Sequence, residues 1–396
     1  MQKPETPAEP TLRRVIGLGP LILNGLAVIV GAGIYVAIGA VVRRAGDAAP
    51  LSFLLAGIPA CLTGLCYAEL AGRFPEASGS VAYVRHGFGS DRIAQAIGAA
   101  LTFAVAISAA SIAQGAAHYL VTVLPLPTPF LVLSMIVGFT IIASRGIGAS
   151  VWLASVMGAV EIGGLLVAAA TGFLHIAPEH DISWVPSTFM GWQSVFAGAF
   201  IAFFAFIGFE TLVNLAEEVK NPQRTVPLAI IGSVGVSVFL YIAVTSSVIL
   251  ADSPDANPLL GLFAGHGATL FAAIASIAVS NGVLLQIVML ARMFYGMAGN
   301  GQLPAALHRI DPATGSPHRA TLLSGGIILA VALLVPFEML LTATNAVSLG
   351  IFALVDLALW RVQRKQPYTV GFAVPRWLPL AAASTALLLL ATEILK

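Results

Sequence analysis

The sequence predicts an all-α polytopic membrane protein of about 11 transmembrane helices, arranged as a five-plus-five inverted repeat with broken first and sixth helices. The composition, the spacing of the apolar runs and two paired glycine-rich interruptions lead to this prediction. Of the 396 residues, 58% are hydrophobic and 9% are charged, and the mean hydropathy is +0.94. Because soluble domains carry about 25% charged residues, most of the exterior is expected to meet lipid.

The residue inventory excludes several other classes. Cys61 and Cys66 lie in one apolar run and point in different directions on a helix, so no disulfide framework is predicted. The sequence has no Cys/His cluster at metal-ligand spacing, no phosphate-binding loop and no dinucleotide fingerprint. We therefore expect no metal, no organic cofactor and no nucleic-acid partner.

The N-terminal segment 1–14 is polar and proline-rich and is predicted to be a cytoplasmic tail. Arg13 and Arg14 precede an apolar run, which raises the alternative of a cleaved signal peptide. The run continues to about residue 42, far beyond the roughly 7 to 15 apolar residues of a signal peptide. A transmembrane helix is therefore the favoured interpretation.

Eleven apolar stretches are long enough to cross a bilayer, which takes about 20 residues. If the chain crosses the membrane at each of these spans, 16 of its 19 lysines and arginines lie on the same side of the membrane as the N-terminus. Arg43, Arg44 and Lys396 lie on the opposite side. The positive-inside rule then places the N-terminus in the cytoplasm. The predicted spans are 15–42, 50–72, 93–124, 127–144, 150–175, 190–216, 226–250, 267–298, 319–336, 339–361 and 376–395.

Glycines interrupt the first span at Gly31 and Gly33 and the sixth span at Gly208. Taken alone, such glycines permit close helix packing. Here they open two halves of five spans each, 15–175 and 190–361, and each half has a long third helix. An odd number of spans forces the halves into opposite orientations, and paired interruptions in inverted repeats indicate a transporter binding site. An extra C-terminal helix, 376–396, lies outside both repeats.

A break in mid-membrane frees backbone N–H and C=O groups that lipid cannot satisfy. Such groups are tolerated where they face a cavity, and there they can hold a ligand. Half-helix N-termini attract carboxylates, and C-terminal carbonyl groups attract ammonium groups or cations. Two adjacent breaks therefore suit a zwitterion such as an α-amino acid.

Four stretches carry a family resemblance: 31–35, 66–70 with 73–75, 203–227 and 292–304. The third is the most specific, because Phe-Ala-Phe-Ile-Gly-Phe-Glu leads into Ala-Glu-Glu-Val-Lys-Asn-Pro. In these stretches the chain resembles the amino acid–polyamine–organocation superfamily, especially bacterial relatives of cationic amino acid transporters. The resemblance implies the five-plus-five inverted-repeat fold and alternating access around a site at the membrane midplane.

The resemblance also implies how a substrate is held. It assigns the substrate carboxylate to the backbone amides of Ala32 and Gly33. It assigns the amino group to the carbonyls of Ile29, Phe204 and Ile207, and Phe204 also matches a gating aromatic of related exchangers. The implied substrate-binding residues are Ile29, Gly31, Ala32, Gly33, Phe204, Ile207, Gly208 and Gln286.

Three features depart from the family pattern. The family usually has twelve spans, and this chain has eleven, although the missing helix lies outside the repeats. Gln286 falls where some relatives have another aromatic on the eighth helix. Glu161, counted back from Gly172, stands where many sodium-independent relatives carry a lysine on the fifth helix in place of a sodium ion.

Glu161 has apolar residues for about two helical turns on either side. A bare carboxylate there is expensive, so the group must be protonated, paired or solvated. The favoured interpretation is a proton-coupling site whose charge differs between the outward-facing and inward-facing forms. Two alternatives stay open: a carboxylate that binds a cationic side chain or a cation, and a protonated acid that hydrogen-bonds a neighbouring helix.

Three further charged residues are candidates for gating or structural roles. Glu210 lies within an apolar run, where it either takes part in function or braces the broken helix by accepting from freed amides; bracing is slightly favoured. Glu69 and Arg73 are predicted to form an i,i+4 pair at the cytoplasmic end of the second span. This pair is also a candidate for part of an inner gate.

Other polar residues carry weaker expectations. Asp356 lies five residues before Arg361 and is expected to pair near the cytoplasmic end. Gln114 and His118 share one face of the third helix and are candidates for lining the pocket. The usual alternative for a lone membrane histidine is a packed hydrogen-bonding role.

The predicted function is a secondary active amino acid transporter of the plasma membrane, the inner membrane of a bacterial cell, with uptake coupled to H⁺. An amino acid/amine exchanger is the main alternative, and a sensor that has lost transport is a weaker one. A channel lacks support because no charged ring or symmetric pore-lining segment is visible. A hydrolase lacks support because Ser111 and His118 have no oxyanion-hole motif. The expected partners are the amino acid substrate and the bilayer, and no oligomeric state is predicted.

Overall fold

The computed structural model describes residues 14, 16–75, 79–145, 147–177, 182–252, 257–299, 301–312, 314–366 and 371–394. In these residues the fold consists of helices joined by turns, without a β-strand, which confirms the all-α prediction. The twelve α-helices are α1 Leu18–Ala45, α2 Ala49–Arg73, α3 Gly79–Phe88, α4 Asp91–Val123, α5 Thr128–Ser144, α6 Ile147–Leu174, α7 Phe189–Ala202, α8 Pro222–Leu250, α9 His266–Gly299, α10 His318–Leu334, α11 Phe337–Lys365 and α12 Leu378–Ile394.

Membrane-spanning helices make up most of the described chain. Seven stretches are long and apolar enough to cross a bilayer, and the first of them, Leu18–Arg73, contains both α1 and α2. The apolar helices α5, α10 and α12 are shorter, with 17 residues each. The eight helices of the long stretches and these three give the eleven predicted spans. The short helix α3 was not predicted.

Both predicted helix breaks are present. Helix α1 leaves helical geometry at Gly31, where φ is 0° and ψ is −147°. In the sixth span, α7 ends at Ala202, a 3-10 turn follows over Phe203–Phe206, and Ile207 is extended. Gly208 has a φ of 132°, and a 3-10 helix, Phe209–Glu218, completes the span. Because that φ strains any residue with a Cβ, the break requires glycine.

Helices five spans apart in sequence pack on each other. Helix α1 packs on α7, α2 on α8, α4 on α9 and α5 on α10. Contacts between equivalent helices are what two interlocked repeats produce. The repeat boundaries at 15–175 and 190–361 stay a prediction.

The ends of the two broken helices meet at one end of the bundle. The backbone N–H of Lys220 donates to the Ile16 carbonyl at 2.8 Å, and the N–H of Ile16 donates to the Glu218 carbonyl at 3.0 Å. The start of the first span is thereby tied to the end of the sixth. In the predicted N-terminal tail, residues 1–13 lie outside the described residues.

The seventh span begins earlier than predicted. The predicted span begins at residue 226, but α8 begins at Pro222. Proline is favoured at the first position of a helix because its missing N–H has no helical partner there. Residues 222–225, which precede the predicted span, are therefore helical.

Candidate functional site

The two broken helices touch each other backbone to backbone at their breaks. A Cβ on Gly33 would lie 2.6 Å from the Cα of Ala205 and 3.1 Å from its carbonyl oxygen. A Cβ on Gly208 would lie 2.9 Å from Cγ1 of Val28 and 3.1 Å from its carbonyl oxygen. Both positions therefore admit only glycine, and the two predicted breaks form a single site.

Tyr241 of α8 links the two breaks. Its hydroxyl lies 2.7 Å from the carbonyl oxygens of both Ile29 and Ala205. The single hydroxyl proton is shared between one carbonyl from each broken helix. The ring is fully buried and packs against Phe53 and Phe206. Nothing in the sequence pattern distinguishes this tyrosine from other aromatics in an apolar helix, so it was missed.

The backbone carbonyls assigned to the substrate amino group lie at this site. The Ile29 carbonyl accepts from Tyr241, and the Phe204 carbonyl accepts from the N–H of Ile207 at 3.3 Å. Each carbonyl oxygen has a second lone pair that can accept another donor. Phe204 is 3% exposed, so its side chain is buried at the break. The substrate contacts of these carbonyls, and of the amides of Ala32 and Gly33, stay predictions.

Glu161 of α6 points at the break in the first span. It is fully buried, and neither carboxylate oxygen makes a hydrogen bond of good geometry, although the Asn281 side chain faces it. Its Oε1 lies 3.8 Å from the position that a Cβ on Gly31 would take. Because buried polar groups are almost always hydrogen-bonded, an acid whose oxygens are this poorly satisfied marks a site with unused binding capacity.

Other polar groups gather around Glu161. The Tyr35 hydroxyl of α1 donates to the Glu161 backbone carbonyl at 2.9 Å. The Asn281 side chain faces Glu161 from α9, and its Oδ1 also lacks a partner. Its Nδ2 lies 3.7 Å from the Cβ position of Gly158, about one turn before Glu161. Groups from α1, α6 and α9 can therefore bind a proton or a polar ligand at this break.

Glu210 and Thr211 satisfy the backbone of the second break. The Gly208 N–H donates to Glu210 Oε2 at 2.8 Å, and Thr211 Oγ1 donates to the Gly208 carbonyl at 2.7 Å. Both polar groups of this non-helical glycine thereby have side-chain partners. The contact is the bracing one considered from the sequence, in which Glu210 acts on the helix backbone.

Glu69 and Arg73 form the pair expected at the end of α2. Arg73 donates to Glu69 Oε1 through Nε at 2.8 Å and Nη2 at 2.5 Å. Glu69 Oε2 accepts from Gln363 Nε2 at 2.9 Å and from the Val374 N–H at 2.7 Å. One buried carboxylate thus ties α2 to the end of α11 and to the segment before α12. A gating role for this pair stays a prediction.

Asp356 is not paired with Arg361, so that expectation is wrong. Asp356 Oδ2 accepts from the Thr63 hydroxyl at 2.9 Å, and the Arg361 guanidinium lies over the Phe88 ring, 4.7 Å from its centroid. Residues five apart on a helix point about 140° away from each other. The two side chains consequently face different neighbours.

Gln114 and His118 line a cavity that includes none of the residues at the breaks. Gln114 Nε2 donates to the carbonyls of Ala332 and Val335 at 2.6 and 2.9 Å. His118 is exposed and meets the Phe337 ring edge-on. The cavity, of about 340 Å³, lies between α4, α5 and the end of α10. That these two residues line the substrate pocket stays a prediction.

Gln286 of α9 is half-buried. Its Nε2 donates to the Ser108 hydroxyl of α4 at 2.9 Å, and its Oε1 has no partner. The amide therefore joins α4 to α9, with one acceptor unused. Contact between Gln286 and substrate stays a prediction.

The comparison with known proteins covers nearly the whole helical region. A sequence profile of amino acid permeases matches residues 21–394. Cationic amino acid transporter 9, chloroplastic, from Arabidopsis thaliana is 32% identical over 76% of this chain and 58% of its own length. The chain thus spans little more than half of that relative.

Two bacterial relatives are covered over most of their length. The methylthioribose transporter of Bacillus subtilis is 29% identical over 92% of this chain and 85% of its own length. The branched-chain amino acid permease BcaP of the same organism is 29% identical over 91% and 83%. These relatives carry the names of transporters and permeases, not of enzymes. The chain therefore belongs to the amino acid permease family, as the resemblance of its motifs to the amino acid–polyamine–organocation superfamily indicated.

Proposed function

We propose that the protein is a secondary active transporter that takes up an amino acid together with a proton by alternating access. We place its N-terminus in the cytoplasm because of the distribution of lysine and arginine. We place the protein in the plasma membrane because two relatives that it covers over most of their length are a bacterial transporter and a bacterial permease. One observation carries the proposal: the buried Glu161 carboxyl, which has no charged partner among the described residues, lies beside the break at Gly31.

The substrate class follows from the chemistry of the two breaks. Free amides at a half-helix N-terminus favour a carboxylate, and free carbonyls favour an ammonium group. An α-amino acid carries both groups on one carbon. The name of one relative, the methylthioribose transporter, makes a thiosugar the second candidate. A thiosugar lacks both charges, so the breaks favour the amino acid.

The proton assignment follows from the free energy of charge in a membrane. An ionised carboxylate without a partner is costly there, whereas water in an open cavity solvates it. Glu161 therefore holds its proton while the site is closed and releases it when the site opens to the cytoplasm. Coupling arises because the two protonation states favour different conformations.

An amino acid exchanger is the second candidate function. Phe204 supports it, because this residue matches the gating aromatic of related exchangers and is buried at the break. An exchanger returns to the other side only when it is loaded. The two functions therefore differ in whether substrate must be present on the far side.

Uptake by purified protein in proteoliposomes tests the proposal. The substrates are radiolabelled branched-chain, cationic and small neutral amino acids, with methylthioribose as the alternative. Proton-coupled uptake predicts that an inward proton gradient drives accumulation of an amino acid and that a protonophore abolishes it. Uptake only into preloaded vesicles would identify an exchanger. Binding of an amino acid without uptake or exchange would contradict transport altogether.

A further inference from the structure

Two acids are fully buried in the interface between α2 and α11, and their surroundings differ. Glu69 accepts four hydrogen bonds, two of them from the guanidinium of Arg73. The donors that face Asp356 are neutral, namely the Thr63 hydroxyl and the weak thiol donor of Cys66, and its Oδ1 makes no hydrogen bond of good geometry. Charged donors stabilise a buried carboxylate, whereas neutral donors leave its charge uncompensated. The surroundings of Glu69 thus suit an anion, and those of Asp356 do not.

No cation among the described residues forms an ion pair with Asp356. Helix α7 has no ionisable residue. The ionisable residue of α12 is Glu393, which lies in its last turn. The charged residues of α4, Asp91 and Arg92, lie in its first turn. Arg361, on the same helix as Asp356, stacks on Phe88. The ionisable groups that interact with the carboxyl are Cys66 and Tyr67 of α2. Glu69 lies beyond Cys66, and Tyr83 of α3 packs on the Tyr67 ring. The other ionisable residues of α3 face elsewhere, since Arg85 pairs with Asp91 and His86 stacks on Phe74.

An aromatic cluster connects this carboxyl to the break in the sixth span. Phe352, one turn before Asp356, packs against Phe203 and Phe209, with ring centroids 5.9 and 5.1 Å apart. Those two phenylalanines flank the break at Gly208. The Tyr67 ring meets both Phe209 and Phe352, at 5.6 and 5.8 Å. A continuous set of packed rings therefore joins the break to the α2–α11 interface.

We propose that Asp356 is a second proton-exchanging site of this transporter. It holds a proton while the α2–α11 interface is closed, and the proton passes from the carboxyl to water when the interface opens. The carboxylate that remains keeps the Thr63 hydroxyl as a donor and gains water. Asp356 lies in the second half of α11, about two turns before Gln363, which hydrogen-bonds Glu69. The predicted topology places this half of α11 toward the cytoplasm. This inference rests on the proposed proton-coupled function and extends it from the break to the inner half of the bundle.

The variant Asp356→Asn tests the inference, since asparagine has nearly the same shape and keeps an acceptor for Thr63. In proteoliposomes we expect accumulation driven by a proton gradient to fall about tenfold, within the usual range of coupling between two sites. Counterflow exchange should persist, with a flatter pH profile than in the wild type. Unchanged gradient-driven accumulation together with an unchanged pH profile would overturn the inference.

Glu69→Gln is the matched control, a buried acid of the same interface with a charged partner. It should lower the temperature of thermal unfolding and leave the pH profile of counterflow unchanged. If both variants flatten the profile equally, the effect belongs to the packing of the interface, and the inference is wrong. Thermal unfolding of Asp356→Asn shows whether the protein is folded.

Infrared difference spectroscopy of the purified protein gives a readout that does not depend on coupling. We expect a carbonyl band of a protonated carboxylic acid that is lost in Asp356→Asn, kept in Glu161→Gln, and altered by substrate or by raised pH. The inference is overturned if the wild type lacks this band, or if the band responds neither to substrate nor to raised pH. If the wild type shows no gradient-driven uptake, the proposed function fails, and the response of this band still decides whether Asp356 exchanges a proton.

Discussion

Gly33 of the first broken helix lies directly on the backbone of Ala205 in the sixth, so that a Cβ on Gly33 would come within 2.6 Å of the Ala205 Cα. The contact makes the two breaks one structural unit. A side chain cannot be added there unless one helix backbone moves away from the other.

Gly33→Ala should therefore separate the breaks. We expect a loss of about 1–3 kcal/mol in the free energy of unfolding, as for overpacking elsewhere, and loss of uptake. Gly235→Ala in α8 is the control, because nothing lies within 4 Å of its Cβ position. Thermal unfolding and initial uptake rates measure both effects. Equal behaviour of the two variants would show that the breaks are not in tight contact.

Tyr241→Phe should weaken the link between the two breaks. Two buried carbonyls lose their shared donor, which is expected to cost about 1–3 kcal/mol and to lower kcat/KM for transport. Ser52→Ala is a suitable comparison, because it removes a buried hydroxyl bond to the Val195 carbonyl, away from the breaks. It should reduce stability and leave the transport kinetics unchanged. A Tyr241→Phe variant with wild-type kinetics would remove Tyr241 from the site.

Variants of Glu210 distinguish whether its hydrogen bond from the Gly208 N–H or its negative charge is what matters. Glu210→Gln keeps an oxygen that accepts from the Gly208 N–H, whereas Glu210→Ala leaves that N–H unpaired. We expect the alanine variant to lose about 1–3 kcal/mol of stability and most of its uptake, and the glutamine variant to retain both. Equal impairment of the two variants in thermal unfolding and uptake would indicate that the charge, not the hydrogen bond, matters.

Two ion pairs, Glu69–Arg73 and Arg85–Asp91, are predicted to differ strongly in energy. Glu69 is fully buried and Arg73 is 6% exposed, so Arg73→Met should cost about 3–5 kcal/mol by leaving a buried charge unpaired. The Arg85–Asp91 pair is exposed, and Asp91→Asn should cost less than about 1 kcal/mol. Denaturant or thermal unfolding in detergent compares them directly. Similar losses would contradict the structural role assigned to Glu69.

Local sequence signals predicted the spans and the breaks, because the length of an apolar run and the position of a glycine both affect the structure within a single helix. Contacts between distant segments could not be predicted in the same way. Tyr241 reaches a carbonyl 212 positions away, and Asp356 accepts from a hydroxyl 293 positions away. The expected partner of Asp356 was wrong because a nearby charge was favoured over a distant neutral donor. Glu161 stood out from the sequence, but its approach to Gly31 depends on how α6 packs on α1.

Proton coupling through Glu161 is tested most directly by comparing wild type with Glu161→Gln in proteoliposomes under an imposed proton gradient at several pH values. The glutamine side chain has nearly the same shape and cannot exchange a proton. If Glu161 carries the coupled proton, Glu161→Gln should still exchange labelled substrate in counterflow. It should no longer accumulate substrate against a gradient, and its uptake should lose the pH dependence. Accumulation and pH dependence equal to those of the wild type would show that Glu161 does not carry the coupled proton.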